Sequence, residues 1–401
     1  MMRQSKLTLS AQFVLHEILP MSKQTDRFLR ACRGQAVDTT PVWLMRQAGR
    51  YMPEYRGVRV AAGDFLTLCR TPDLACEVTM QPVDQLGVDA AILFSDILVP
   101  LPGMGIELSF TEEGPQVAPV RDQAAIDSLR IAEPDSCGYV YEAIRRCRHA
   151  LARRGERAVP LIGFAGAPFT LLTYAVEGHT SKQFIQTKKL LFAARETAHL
   201  LLRKLTATVI GYLQAQVEAG AQAIQIFDSW VGILGQGEFA EFAAPYVEEV
   251  LQALRPLGVP LIYFAHGGSA LYEQVGALSA DVFSVDWRLP IDDAGQRLGI
   301  AERPDRAIQG NLDPLRLLGP IDEIERQAGD ILRRASRLRC RHIFNLGHGV
   351  VPQTPVAHVR ALVDAVHRLG AQPSGLSLAA GLAVADAGVA PGHFSPAARP
   401  D

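Results

Sequence analysis

The chain has 401 residues, of which 48% are hydrophobic and 20% charged, with 34 Gly, 25 Pro and 6 Cys. This globular composition excludes intrinsically disordered, collagen-like and disulfide-scaffold classes. With 40 Lys+Arg against 42 Asp+Glu the formal net charge is −2, the wrong balance for coating nucleic acid or an anionic membrane, though it allows one local basic pocket.

Residues 1–21 carry Arg3 and Lys6, then a half-apolar stretch broken by Ser10, Gln12, His16 and Glu17, without a small-residue cleavage site. They read as an N-terminal extension, disordered or produced by an upstream start with Met21 as the true initiator. No apolar run approaches the roughly 18 residues that a membrane span requires. The cysteines at 32, 69, 76, 137, 147 and 340 form no C-x-x-C pair, and they read as thiols of a reducing, cytoplasmic compartment.

Hydrophobic patterning then alternates between short apolar runs and longer helical periods, as in βα units. Predicted strands in chain order are 41–45 (PVWLM), 89–95 (DAAILFS), 160–165 (PLIGFA), 222–227 (QAIQIF), 260–264 (PLIYF), 281–285 (DVFSV), 307–310 (AIQG) and 342–346 (HIFNL). Helical spacing marks 72–86, 188–219, 239–254, 321–338 and 355–369, with Thr71-Pro72 and Thr354-Pro355 expected as a capping hydroxyl followed by Pro at the first helical position. An insertion separates the second and third strands, and its residues 106–120 alternate around Gly114-Pro115 as a β-hairpin does. Beyond Leu369 the composition turns to Ala, Gly, Pro and Ser, which predicts a disordered tail over 371–401.

Eight strands with intervening helices predict an α/β fold, a (β/α)₈ TIM-type barrel forming one domain over 22–370. The rival is a doubly wound open sheet. Polar residues favour the barrel, because each predicted strand is followed by a group suited to a site: Arg46, Asp96, Gly166-Ala167-Pro168, Asp228-Ser229, His266-Gly267-Gly268, Asp286, Asn311-Leu312-Asp313 and Gly347-His348-Gly349. Barrel enzymes build their sites at these strand ends.

Arg46 and Arg50 flank Gln47-Ala48-Gly49 after the first strand, and guanidinium groups suit carboxylate or phosphate. The plainer reading is two surface arginines in local salt bridges. Asp96 ends an apolar strand, where a carboxylate loses water and either caps a loop or serves a function. In 163–174 (GFAGAPFTLLTY) Gly and Pro shape a tight turn, Thr170 is a candidate cap, and Tyr174 is either core or site. Neither G-x-x-x-x-G-K-[ST] nor G-x-G-x-x-G occurs, so a nucleotide reading has little support. His348, between two glycines, is a candidate base, ligand or inert surface group. A metal site built from Asp96, His266, Asp286 and His348 lacks a defined ligand pattern. The residues alone thus describe a barrel enzyme that acts on an acidic ligand.

The strings PVWLMRQAGRYMPEYR, GFAGAPFTLLTY, FDSW, QGNLDP and FNLGHGV, in this order, resemble the uroporphyrinogen decarboxylase family from about residue 26 to about residue 369. The resemblance implies a (β/α)₈ barrel and a homodimeric, cofactor-free, metal-free carboxy-lyase of porphyrin and haem biosynthesis. Such an enzyme converts the four acetate side chains of uroporphyrinogen III to methyl groups and releases CO₂. It implies substrate contacts at Arg46, Gln47, Ala48, Gly49, Arg50, Asp96, Tyr174, Ser229 and His348, with Asp96, Arg46, His348 and Tyr174 in the catalytic set. Two positions depart from the pattern: His179 stands where a glycine is commoner, and His266 where a Lys is expected. The rivals are a related zinc-dependent barrel methyltransferase, whose His-x-Cys is missing because Gly267-Gly268 follow His266, and a non-catalytic tetrapyrrole carrier.

Overall fold

The computed structural model describes residues 26–371 apart from Glu112, so the expected N-terminal extension and all of the expected tail beyond Ala371 lie outside the described residues. Its strands are β1 (Ala91–Ile92), a hairpin of β2 (Leu108–Thr111) and β3 (Gly114–Val117), then β4 (Leu161–Gly166), β5 (Ala223–Asp228), β6 (Leu261–Ala265), β7 (Val282–Ser284), β8 (Ala307–Leu312) and β9 (Arg341–Leu346). All but the hairpin form one parallel sheet in the order β1-β4-β5-β6-β7-β8-β9. The hairpin is the one expected inside the insertion, with Thr111 opposite Gly114.

The first predicted strand, 41–45, closes the sheet but does so with a single bridge, Val42 to Phe344. On one side Phe344 N donates to Pro41 O (2.8 Å) and Trp43 N to Phe344 O (3.4 Å), while on the other Asp89 N donates to Val42 O (2.8 Å). Side chains replace the remaining ladder. The Asp89 carboxylate accepts from Val42 N (2.8 Å), Gln47 Oε1 from Leu44 N (3.1 Å) and Asn345 Oδ1 from Met45 N (3.0 Å). Every backbone donor of the segment still finds a partner, as buried backbone must. The strand is therefore present in space and largely absent as a ladder, and it makes the sheet a barrel.

Continuous apolar runs such as Leu161–Gly166 are buried on both faces, as parallel strands covered by helices must be. Alternate residues serve two separate cores. Trp43, Met45, Ile162, Ala223, Ile262, Val282, Ala307 and Ile343 fill the barrel, and the helix Arg27–Cys32 plugs its lower end with Phe28, Leu29, Ala31 and Cys32. Their neighbours along the strands, such as Leu161, Ile224 and Phe344, pack outward against the helices. Two residues above the Ala223, Val282 and Ala307 positions lies a polar layer. There Gln309 accepts from Trp43 Nε1 (2.8 Å) and donates to Ser284 Oγ (3.0 Å) and Gln225 Oε1 (3.2 Å). Two residues further on, the strands reach the mouth.

The helices correct several boundaries. The predicted helix over 188–219 is two, Ile185–Ala193 and Arg195–Glu218, broken at Ala194 (φ −141°, ψ 56°). The one over 239–254 likewise divides into Gln236–Phe242 and Ala244–Leu254. Thr71 stands at the cap position before Pro72 as predicted, but neither predicted threonine supplies a capping hydroxyl bond. Thr71 Oγ1 donates back to Thr67 O (2.8 Å), and Pro355 itself occupies the cap position before Val356–Leu369. All six cysteines are free thiols, as expected, and all but Cys76 are buried.

Candidate active site

The turn after the first strand is pinned from below. Gln47 is buried, bonds Leu44 N as above, and donates through Nε2 to Ala90 O (3.0 Å), while Tyr51 OH donates to Gln47 O (2.6 Å). Its side chain thus belongs to the scaffold, while Arg46 and Arg50 on either side are exposed. Arg46 holds a left-handed backbone conformation (φ 60°), and its side chain lies across Gly349. A Cβ at 349 would come within 2.4 Å of Arg46 Cδ, so only glycine lets the guanidinium reach over the last strand's loop. Among the described residues neither Arg46 nor Arg50 forms an ion pair or a side-chain hydrogen bond.

Asp96 follows β1, and one of its oxygens accepts from Leu98 N (2.9 Å). Burial raises its pKa, against the opposing influence of the Leu98 N–H and of Arg46. Tyr174, on the helix Pro168–Glu177, meets Trp230 edge to face at 5.8 Å. Its pKa is raised by burial first and by the negative charge of Asp96 second. Arg46, Asp96 and Tyr174 therefore form one electrostatic group, although three different strand ends supply them.

Ser229 follows β5 and is placed by its neighbour Asp228. That carboxylate is fully buried and accepts from Thr170 Oγ1 (2.7 Å) and Tyr263 OH (2.8 Å), and burial pushes its pKa up to about 6. Thr170, expected as a helix cap, is thus spent on Asp228. Ser229 contributes its carbonyl to His266 Nδ1 (3.1 Å).

His348 stands 4.8 Å, ring to ring, from His266. Burial pushes its pKa down to about 3, helped by Arg46, His266 and Arg288. It is a neutral imidazole at physiological pH, whatever its reference value suggests. Of the remaining predicted strand ends, Asp286 and Asn311 are buried and turned to structural use: Asn311 Nδ2 donates to Asp286 O (2.9 Å) and Leu289 O (2.7 Å). Asp313 caps the turn Pro314–Leu318. His179 is exposed at the edge, bonded to Thr180 O (2.9 Å).

The structure thus gathers Arg46, Asp96, Tyr174, Ser229 and His348 at one mouth, with Arg50 on the rim and Gln47 underneath. Sequence reasoning missed Arg288, which sits beside His266 with Nη1 3.4 Å from Nε2. A usable signal was the spacing Asp286-x-Arg288, in which a strand-end carboxylate can hold the arginine two residues on.

A family model described as uroporphyrinogen decarboxylase (URO-D) matches residues 23–369. The chain is 52% identical over 347 residues to a uroporphyrinogen decarboxylase of Myxococcus xanthus, covering 86% of this chain and 97% of that one. It is 50% identical to one of Desulfotalea psychrophila, with 86% and 98% covered. Among solved structures, a methyltransferase from Methanosarcina mazei superposes with a TM-score of 0.68 at 20% identity, covering 87% of this chain and 99% of that one, which shows a shared barrel fold and nothing about chemistry. The chain belongs to the uroporphyrinogen decarboxylase family.

Proposed function

We infer that the chain is a carboxy-lyase that decarboxylates the four acetate side chains of uroporphyrinogen III to methyl groups, giving coproporphyrinogen III and CO₂. The observation that carries this reading is a partly buried carboxylate, Asp96, set beside an arginine that has no ion-pair partner of its own. A tetrapyrrole with carboxylates around its rim and pyrrole N–H donors at its centre is complementary to that pattern. Arg46 and Arg50 take rim carboxylates through charge-assisted bonds, each contributing about 1.5–3 kcal/mol. Asp96 accepts the converging N–H groups.

Loss of CO₂ from an acetate on a pyrrole needs an electron sink. Protonation of the ring carbon beside the acetate-bearing one makes the ring cationic. The C–C bond to the carboxylate then breaks, its electron pair flows into the ring, and CO₂ leaves. The resulting methylene takes a proton to become methyl while the ring gives one back, for a net uptake of one proton per acetate. Asp96 stabilises the cationic state more than the neutral one, which is the differential interaction that accelerates a reaction. Tyr174, Ser229 and His348 orient carboxylates and ring nitrogens. His348, neutral in the free protein, serves as a hydrogen-bonding partner and not as a standing acid.

Among the described residues no helix is long and apolar enough to cross a membrane. We take the working form to be a cytoplasmic homodimer, as the family resemblance implies. Anaerobic incubation with uroporphyrinogen, followed by oxidation and chromatography, tests the activity: porphyrins with seven down to four carboxylates are expected, and folded protein that yields none overturns the reading. Full activity after exhaustive chelation is expected; loss restored by zinc would instead favour the methyltransferase relatives.

A further inference from the structure

We propose that Arg288 is a third guanidinium of the site, one that takes a rim carboxylate of the tetrapyrrole, and that Asp286, Trp287 and His266 are its positioning residues. The proposal rests on the decarboxylase reading for the identity of the carboxylate. It rests on the geometry of 286–288 for the existence of the contact.

That geometry is built and not incidental. Asp286 is fully buried and holds Arg288 twice, accepting from its backbone N (2.9 Å) and from its Nη1 (2.7 Å), while a third bond from Gly267 N (2.6 Å) ties the carboxylate to the neighbouring strand end. Asn311 fixes the carbonyl of Asp286 and that of Leu289, so the loop is clamped at both ends. The guanidinium carbon lies 4.5 Å from the centre of the Trp287 ring, which covers one face. The His266 Nε2 lies 3.4 Å from Nη1 and accepts from it, because Nδ1 points at Ser229 O and carries the proton. The hydrogen bonds of the guanidinium itself both use Nη1, one corner of the fork. Among the described residues Nε and Nη2 have no hydrogen-bond partner, and the side chain remains 45% exposed.

The position is right as well. Arg288 lies at the C-terminal end of β7, next to His266 and within electrostatic reach of His348, which also feels Arg46. Arg46, whose side chain lies against Gly349, and Arg288, beside His266, therefore both lie near His348. An arginine meant only for stability would bury its fork in the ion pair. This one is held by a single corner, and it presents a planar, preoriented edge of the kind that receives a carboxylate through two parallel bonds. The histidine at 266 fits the same arrangement, since a lysine there would set a second fixed charge against Nη1.

The test compares steady-state kinetics with uroporphyrinogen and fluorescence-monitored binding of uroporphyrin, using wild-type protein, Arg288→Gln, Arg288→Lys and the double variant Asp286→Asn/Arg288→Gln, which leaves no unpaired buried charge. Arg326→Gln, on the outer helix Ile321–Ala335, is the control. Arg288→Gln is expected to raise KM and weaken uroporphyrin binding about 10- to 100-fold, with a smaller change in kcat. The double variant should share the KM defect while melting like the wild type, Arg288→Lys should fall between, and Arg326→Gln should match the wild type. A folded Arg288→Gln or double variant with KM and uroporphyrin affinity within twofold of the wild type overturns the proposal; should both fail to fold, a wild-type KM for Arg288→Lys does so. Wild-type protein that binds uroporphyrin through Arg288 without turning over uroporphyrinogen would sink the decarboxylase reading and leave this contact standing.

Discussion

The two ends of the barrel handle charge in opposite ways. At the lower end Arg27, only 7% exposed, bonds Asp89 (2.9 Å) and Asp38, and Asp89 also takes Val42 N (2.8 Å) and His367 Nε2 (2.7 Å). Every one of these groups is used up by another. At the mouth Arg46 and Arg50 have no such partners, Arg288 is held by one corner, and Asp96 receives a single backbone N–H. Charge that is fully paired holds the chain together; charge that is positioned and left unpaired is available to a ligand. The lower cluster also closes the barrel, because Asp89 substitutes for the ladder that the first strand lacks.

The largest expected effect comes from Asp96→Asn. Turnover should fall about a thousandfold or more, in the range of lost transition-state electrostatics. The melting temperature should stay level or rise. Burial raises the Asp96 pKa, so its ionised form opposes folding once pH exceeds the unfolded value of about 3.9, and an amide lacks that cost. A large loss of stability would put Asp96 with the paired charges of the lower end.

Exchanging the two arginines sharpens the contrast. Arg46→Met should cut kcat/KM about a hundredfold and move the urea midpoint little, whereas Arg27→Met should cost about 3 kcal/mol of stability by stranding buried Asp89, with the remaining folded enzyme still active. The reverse pattern would break the comparison.

His348→Asn should lower kcat/KM by about tenfold without removing any ionisation between pH 5 and 8 from the rate profile. The wild-type imidazole is neutral there, with its pKa pushed down to about 3. Its contribution to stability is present above the unfolded pKa of about 6.5 and is lost as pH falls towards 3. Loss of a limb in that range would make His348 a proton donor.

The smallest effect tests Asp228, which is buried but belongs to the scaffold. Its pKa, pushed up to about 6, means that ionisation works against folding as pH rises from about 4 to 6. Denaturation curves of Asp228→Asn should gain on the wild type across that window and run parallel above it. A constant offset from pH 3 to 8 would remove the titration from the account.

Sequence patterning exposed the buried parallel strands readily, because Leu161–Gly166 is apolar throughout and Ala223–Asp228 is apolar but for Gln225 and the terminal Asp228. It also placed Arg46, Asp96 and His348 at those ends. What it missed depends on partners distant in sequence. That Gln47 faces Ala90, that Thr170 serves Asp228, and that Asp286 and Asn311 are consumed in holding a loop are tertiary facts with no local signature. The interruption at Ala194 is equally silent, since alanine favours helix, whereas the one at Ala243 had a local signal in Pro245, which cannot continue a preceding helix and sits in the first turn of the next. Arg288 was legible in part, as the companion of an acidic residue two positions earlier, but its exposed fork was not.

The bridge between Thr39 and Ala371 ties the segment that leads into the first strand to the last described residue, on the side of the barrel opposite the mouth. The barrel is thus nearly a closed loop in sequence as well as in space. A linker from Ala371 to Asp26 and new termini cut in the loop between helix Ile321–Ala335 and β9 should give a permuted barrel that keeps its site.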